Sequence, residues 1–351
     1  MQAVILVGGE GTRLRPLTLA LPKPMAPLLG RPFIGWIIAR LAAEGVDDII
    51  LSCCYLPDAI EAHYGDGRSM GVRLHYVVEN EPLGTAGAIK NARELIHGPV
   101  YICNGDIITG LDLTALRGAH VQNNAIATIH TREVEDPSHF GVVETAANGR
   151  VKRFVEKPEP GQTDARDINA GTYILELDAV DAIPGGRAVS IEREVFPELI
   201  TRTGRVFAVS TQDYWIDVGR PSTYIQSHRD ILDRKLEHPL GVEVANDVWS
   251  ADGAPLPHGV KVSGPAYIGP GVTLGAGSTI EPYSVLYAGC RVGDGATIGA
   301  AILWPGCVVG AGAIVRDAIL GLDVVVEPGA TVPPESVLGQ GERVPGAGVA
   351  R

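Results

Sequence analysis

The chain has 351 residues, a formal net charge of −12, 45% hydrophobic but only 5% aromatic residues, and 44 glycines. That length suits two domains, or one domain with an appendage, and supplies ample apolar material for a core. The acidic balance excludes nucleic acid and anionic membrane surfaces as expected partners, so a polyanionic ligand has to be held by local cations and a metal. The five cysteines are an odd set without metal-ligand spacing; Cys53 and Cys54 are adjacent in the apolar run 49–55. They read as buried reduced thiols of a cytoplasmic protein. No apolar run reaches eighteen residues and no signal peptide precedes the first apolar segment, so neither a membrane span nor secretion is expected.

The first element is a short apolar run at 3–7, ending in a glycine pair, which reads as a buried strand. It feeds GGEGTRLRPLTLALPKPM at 8–25, which joins Gly8, Gly9 and Gly11 to Arg13, Arg15 and Lys23. Glycines let backbone N–H groups close around a phosphate, and the cations add charge beside them. The carboxyl end of a strand is where open α/β sheets bind ligands. Two common phosphate motifs are excluded. Leu14 stands where a dinucleotide fingerprint needs its third glycine, and Lys23 comes twelve positions after Gly11, too far for a P-loop.

Helical spacing follows at 33–43, a strand at 48–52, a short helix at 57–64 and a strand at 72–78. A helix is expected at 85–95 with Thr85 near its start, then a strand at 100–103 ending in Asn104-Gly105-Asp106, and a helix at 111–121. This alternation implies a Rossmann-like, mostly parallel sheet covered on both faces. Strands predominate afterwards, at 125–130, 141–144, 151–154 and 169–175, as an added β-rich wall of a cleft. A helix at 220–232 closes a domain spanning 1–234. Residues 235–261 read as a linker, with a short strand at 242–245.

The stretch from 262 to 351 carries a second signal. An aliphatic residue recurs every six positions at Val262, Ile268, Leu274, Ile280, Leu286, Val292 and Ile298, and Gly269, Gly275, Gly293 and Gly299 follow four of them. Short periods of this kind mark a solenoid. The register breaks near Trp304 and resumes at Val309 and Val315, then Val326 and Val332, which suggests a loop outside a coil.

Several residues carry chemistry. Asp106 sits at a strand's carboxyl end beside Gly105; it suits Mg²⁺, although a turn or a helix cap would also use it. Asp217, between Ile216 and Val218, is costly on an apolar strand unless paired or bound. EPLGTAGAI at 81–89 opens a helix whose N-terminus favours anions, and it equally reads as a capped helix start. Lys157 in FVEKP, taken alone, is solvated charge.

Together these strings resemble the sugar-phosphate nucleotidyltransferases, the NDP-sugar pyrophosphorylases, over roughly the first 230 residues. The repeat resembles the hexapeptide repeat of left-handed parallel β-helices. The resemblance implies transfer of a nucleotidyl group from a nucleoside triphosphate to a sugar 1-phosphate, with release of pyrophosphate and with Mg²⁺ as cofactor. It implies that Arg13 and Lys23 hold the triphosphate and leaving group, that Asp106 and Asp217 bind the metal, and that Lys157 aligns the reacting phosphates. Leu6, Gly8, Gly9, Gly11, Thr12, Glu79, Pro82, Gly84, Thr85 and Gly105 would line the nucleotide, and Gly141, Glu156, Lys157, Asn169 and Gly171 the sugar phosphate. EPLGTAG, SIEREVFPELI and YWIDVG are most similar to the mannose-1-phosphate guanylyltransferases, which implies GTP and mannose 1-phosphate. A glucose-1-phosphate thymidylyl- or uridylyltransferase is the alternative, and a catalytically silent regulatory subunit a further one. A sugar phosphate is already anionic near neutral pH, so positioning and electrostatics suffice without a general base. No histidine follows His258, which argues against acyl transfer by the repeats and leaves assembly or regulation as their role, with a homo-oligomer through them the expectation.

Overall fold

The computed structural model describes residues 1–53, 57–236 and 240–346; the reading of Cys54 lies outside them. The chain forms two units. One comprises Met1–Glu10 and Ile34–Asp217, the other Gly11–Phe33 and Val218–Arg351. The glycine-rich segment is therefore divided: Gly8 and Gly9 belong to the first unit, and Gly11, Arg13 and Lys23 to the second.

Four strands of the first unit run parallel in the order Val100–Asn104, Gln2–Leu6, Asp48–Cys53, Arg73–Val78. Their cores, such as AVI at 3–5 and IIL at 49–51, are fully buried, as expected of strands covered on both faces. The first and fourth of these strands in sequence are neighbours, so the direction of winding reverses between them. That is the switch point where open α/β sheets place ligands, beyond the carboxyl ends of the strands. The turns that follow there begin at Val7 and at Gly105.

The β-rich part continues the same sheet. Asp167–Leu175 pairs antiparallel with Val100–Asn104, and Gly141–Thr145 and Val151–Glu156 extend it. Ala127–Glu133 and Val206–Ser210 branch from it. The expected helix at 85–95 is Gly84–Asn91 followed by a tighter turn at Arg93–Leu95. The sequence reading had no element for Phe196–Thr203 or for the wide π-helical turn Ile191–Val195 before it. Ile191, Val195, Phe196, Leu199 and Ile200 stand at helical spacing, so this stretch carries an apolar period that the sequence reading passes over.

In the second unit, parallel strands stack into three sheets, the ladder of a left-handed parallel β-helix. Buried Ile280, Leu286, Val292 and Ile298 fill its interior. The ladder begins at Val248–Ser250, which pairs parallel with Ala266–Ile268. The expected outside loop near Trp304 is absent. The corner steps Ile298 to Leu303 and Val315 to Leu320 take five residues instead of six, with Ala300 and Asp317 at φ +47° making the turns. Gly293 is needed for stacking: a Cβ there would lie 2.6 Å from the Ala311 nitrogen of the next coil. Among the described residues, no helix is long and apolar enough to cross a membrane.

Burial holds one histidine in each unit, His130 and His228, neutral, with its pKa pushed down to about 4 from 6.5. A lowered folded pKa means the unfolded chain binds more protons between those values, so stability is full above pH 6.5 and falls as pH drops toward 4. Each histidine contributes about 2–3 kcal/mol over that window. Melting temperatures from pH 7.5 to 4 should decline, and His130→Gln or His228→Gln should flatten the slope of its own unit; unchanged slopes would remove these residues as the cause.

Candidate active site

The sheet of the first unit delivers most of the expected residues to one place. Gly105 N–H donates to the Leu6 carbonyl at 2.9 Å, and a Cβ on Gly105 would meet that oxygen at 2.5 Å. Only glycine lets the turn before Asp106 lie against the end of the first strand. Ile107–Thr109 then pairs antiparallel with Trp215–Asp217, with Asp217 opposite Ile107. Asp106 and Asp217 thus sit at adjacent register positions at one end of this ribbon.

That donor set fits Mg²⁺. The ion is commonly held by one or two carboxylates, its other positions going to water and substrate phosphate oxygens. Among the described residues, no group of three or more acidic, histidine or cysteine side chains gathers into a metal cage. A metal shared with phosphates needs none.

The residues expected on the sugar phosphate join the same ribbon. The strand Asp167–Leu175 is irregular between Asn169 and Tyr173. Asn169 Oδ1 accepts from Gly171 N–H at 2.9 Å, and the Ala170 carbonyl accepts from Trp215 Nε1–H at 3.0 Å. Gly171 has φ +73°, and a Cβ there would strike Ile107 and lie 2.7 Å from Asn104 Nδ2. Gly171→Ala should therefore displace the turn that carries Asp106. The expected result is a loss of about 1–3 kcal/mol in stability and at least tenfold in turnover; normal values of both would show that the bulge tolerates a side chain.

Gly141 faces Glu156 across the Gly141–Thr145 and Val151–Glu156 pair. The Phe154 ring and the Glu156 carboxylate fill the space a Cβ would take, at 2.6 and 2.8 Å. Glu156 is half-buried, and its pKa is raised by burial first and by Glu192 next. Lys157 Nζ lies 4.0 Å from Glu156 Oε1, while its N–H donates to the Phe140 carbonyl. The Phe140 ring meets the Trp215 ring edge-on at 5.9 Å, which ties this wall back to the ribbon.

Two residues expected on the nucleotide are occupied within the fold. Buried Glu79 accepts from Ser52 Oγ and from Leu83 N–H, both at 3.0 Å. Thr85 Oγ1 donates to Glu192 and accepts from Ile191 N–H. Both set the shape of the Pro82–Gly84 turn, and Gly84 (φ +70°) lets that turn close on the Val189 carbonyl. Glu192 stands out as a residue that sequence reasoning missed. It joins Thr85 to Ser190 and raises the Glu156 pKa from the wide helical turn. Its only sequence signal was an unassigned acid in SIEREVFPELI.

In the second unit, Thr18 Oγ1 donates to the Gly11 carbonyl at 2.9 Å, and a Cβ on Gly11 would lie 2.9 Å from Lys23 Cβ. Lys23 is only 9% exposed. Thr12 and Arg13 are exposed, and Arg13 lines a cavity of about 910 Å³ with Arg220, Arg229, Ile319 and Val337.

Comparison with known proteins gives the family. Residues 2–234 match the family described as nucleotidyl transferase, and residues 262–347 match the GMPPB C-terminal domain. The chain is 39% identical to the mannose-1-phosphate guanylyltransferase of Mycobacterium tuberculosis, over 85% of this chain and 83% of that protein. It is 32% identical to a UTP–glucose-1-phosphate uridylyltransferase of Synechocystis, over 85% and 86%. The crystal structure of HddC from Yersinia pseudotuberculosis complexed with GMP-PN superposes with a TM-score of 0.57 at 32% identity, over 66% of this chain and 99% of that one. The chain belongs to the nucleotidyl transferase family.

Proposed function

We propose that this enzyme transfers the guanylyl group of GTP to mannose 1-phosphate, giving GDP-mannose and pyrophosphate. The observation that carries the reading is the meeting, at the switch point of the sheet, of the Asn104–Gly105–Asp106 turn, Asp217 and the Asn169–Gly171 bulge. The mannose-1-phosphate guanylyltransferase relative favours this substrate pair. The uridylyltransferase relative keeps UTP with glucose 1-phosphate as the second reading.

Asp106 and Asp217 would hold Mg²⁺, which supplies positive charge to phosphate oxygens when bound. Gly8 and Gly9 offer backbone N–H groups without side-chain obstruction, and Arg13 and Lys23 hold the triphosphate and the pyrophosphate that leaves. Glu156 binds sugar hydroxyls. Its carboxyl, raised in pKa by burial first and by Glu192 next, accepts hydrogen bonds from those hydroxyls. Lys157, delivered from the same strand end, draws the sugar phosphate toward the α-phosphate. No protein base is needed, because the attacking phosphate oxygen is already anionic.

The reading extends to location and assembly. Cys53, Cys103, Cys290 and Cys307 are buried free thiols, in keeping with the cytoplasm. A homo-oligomer would use the β-helix faces whose outward residues, such as Thr279, Thr297 and Ile314, stay partly exposed. Light scattering should give a mass above one chain; a monomer at working concentration would refute that part.

Incubation with α-labelled GTP and mannose 1-phosphate tests the chemistry. The label should appear in GDP-mannose, with unlabelled pyrophosphate released. Label recovered as GMP, or no pyrophosphate, would refute it.

A further inference from the structure

The segment Gly11–Phe33, which carries the Arg13 and Lys23 that the proposed function sets on the triphosphate, belongs to the same unit as the β-helix. One β-helix face explains why. Alternation along its strands turns Tyr267, Val285, Ile302 and Ile319 outward, yet they are 2%, 0%, 1% and 0% exposed. That face is covered, and hydrogen bonds show by what.

Two buried chains of hydrogen bonds leave it for the backbone of Pro27 and Leu29. In one, Leu29 N–H donates to Tyr287 Oη at 2.7 Å, and Tyr287 lies 2.8 Å from His228 Nε2. His228 Nδ1 lies 2.8 Å from the Tyr224 carbonyl. A carbonyl can only accept, so Nδ1 carries the proton, Nε2 of the neutral ring is bare, and the Tyr287 hydroxyl donates to it. In the other chain, Trp304 Nε1–H donates to Tyr224 Oη at 3.0 Å, and the Tyr224 hydroxyl donates to the Pro27 carbonyl. Packing continues the seat closer to the cations. A Cβ on Gly321 would lie 3.3 Å from Leu17, and one on Gly339 would lie 3.1 Å from Pro16. Arg13 itself shares its cavity with Ile319 and Val337 of the coils.

We infer that the β-helix serves nucleotidyl transfer through the segment it seats: Tyr224, Tyr287 and Trp304 are positioning residues that hold the phosphate-binding segment in its productive conformation. This rests on the proposed role of Arg13 and Lys23. It goes beyond assembly, because it assigns the repeats a role within a single chain.

The segment has little regular structure of its own, only short turns and the two-residue strands Pro27–Leu28 and Arg31–Pro32. An anchor lost at Pro27 or Leu29 therefore frees the turns that carry Arg13 and Lys23. Misplacing cations by about 1 Å costs about a hundredfold in such chemistry.

The test uses the full-length chain and compares Tyr287→Phe, Tyr224→Phe and Trp304→Phe with Val332→Ala. Val332 is a buried interior residue of the coils, away from the seat, and its truncation should lower stability alone. Steady-state kinetics are read with each substrate varied in turn, alongside melting temperature. The seat variants should lower kcat/KM for GTP about tenfold or more while KM for the sugar phosphate stays within about twofold. Val332→Ala should melt earlier with unchanged kinetics. Kinetics unchanged in all three seat variants, or equal losses for both substrates, would overturn the inference. If a seat variant fails to fold, Gly339→Ala gives a second reading through Pro16 and should show the same GTP-selective loss. A wild-type chain inactive with every triphosphate would instead sink the proposed function, a distinguishable result.

Discussion

Asp106→Asn and Asp217→Asn should each lower kcat by about three orders of magnitude while leaving the circular dichroism spectrum unchanged. The size follows from the several kcal/mol of charge stabilisation that a metal supplies in the transition state. Asparagine keeps the shape of aspartate and removes the charge, so the antiparallel pairing of Ile107–Thr109 with Trp215–Asp217 survives. Raising Mg²⁺ should recover part of the rate in each single variant, since one carboxylate remains. Near-normal rates at low Mg²⁺ would remove both residues from the site.

Lys23→Ala and Lys157→Ala should separate the two substrates. Lys23 is nearly buried, with its Cβ beside Gly11. Its loss should lower kcat/KM for the triphosphate by about two orders of magnitude, the scale of a charge-assisted contact removed from a shielded site. The Lys157 side chain is 61% exposed and comes from the β-rich wall beside Glu156. Its replacement should also raise KM for the sugar phosphate. Steady-state kinetics with each substrate varied would decide, and equal effects of both variants on both substrates would contradict the separate roles.

Much of the fold was legible because its signals are local. The helix Phe33–Ala43 and the strand Val100–Asn104 follow from apolar spacing and punctuation by glycine and asparagine. The hexad period gave the β-helix interior, since one aliphatic residue per face is a condition of stacking. Other features depend on partners far along the chain. Nothing near Glu192 says that it will bond Thr85, 107 positions away. Tyr287 and Trp304 sit inside the repeat, where an aromatic looks like a break in pattern; their roles appear only when Leu29 and Tyr224 reach them. The five-residue corners misled for a related reason, because a shortened step and an inserted loop both interrupt the period.

The Pro82–Gly84 turn was readable in outline and not in detail. Glycines at 84 and 87 announced close backbone approach. They could not say that Glu79 and Thr85 would spend their polar atoms on Ser52, Leu83 and Ile191. Hydrogen bonds within the fold give such residues a part in shaping the turn.

The measurement that tests the central claim most directly is pyrophosphate release across a matrix of GTP, ATP, UTP and dTTP with mannose 1-phosphate, glucose 1-phosphate and galactose 1-phosphate, at saturating Mg²⁺. The highest kcat/KM should fall on GTP with mannose 1-phosphate, because unpaired polar groups in a base pocket penalise the wrong base. A preference for UTP or dTTP with glucose 1-phosphate would contradict the substrate assignment, and absence of pyrophosphate from every pair would contradict the proposed reaction itself.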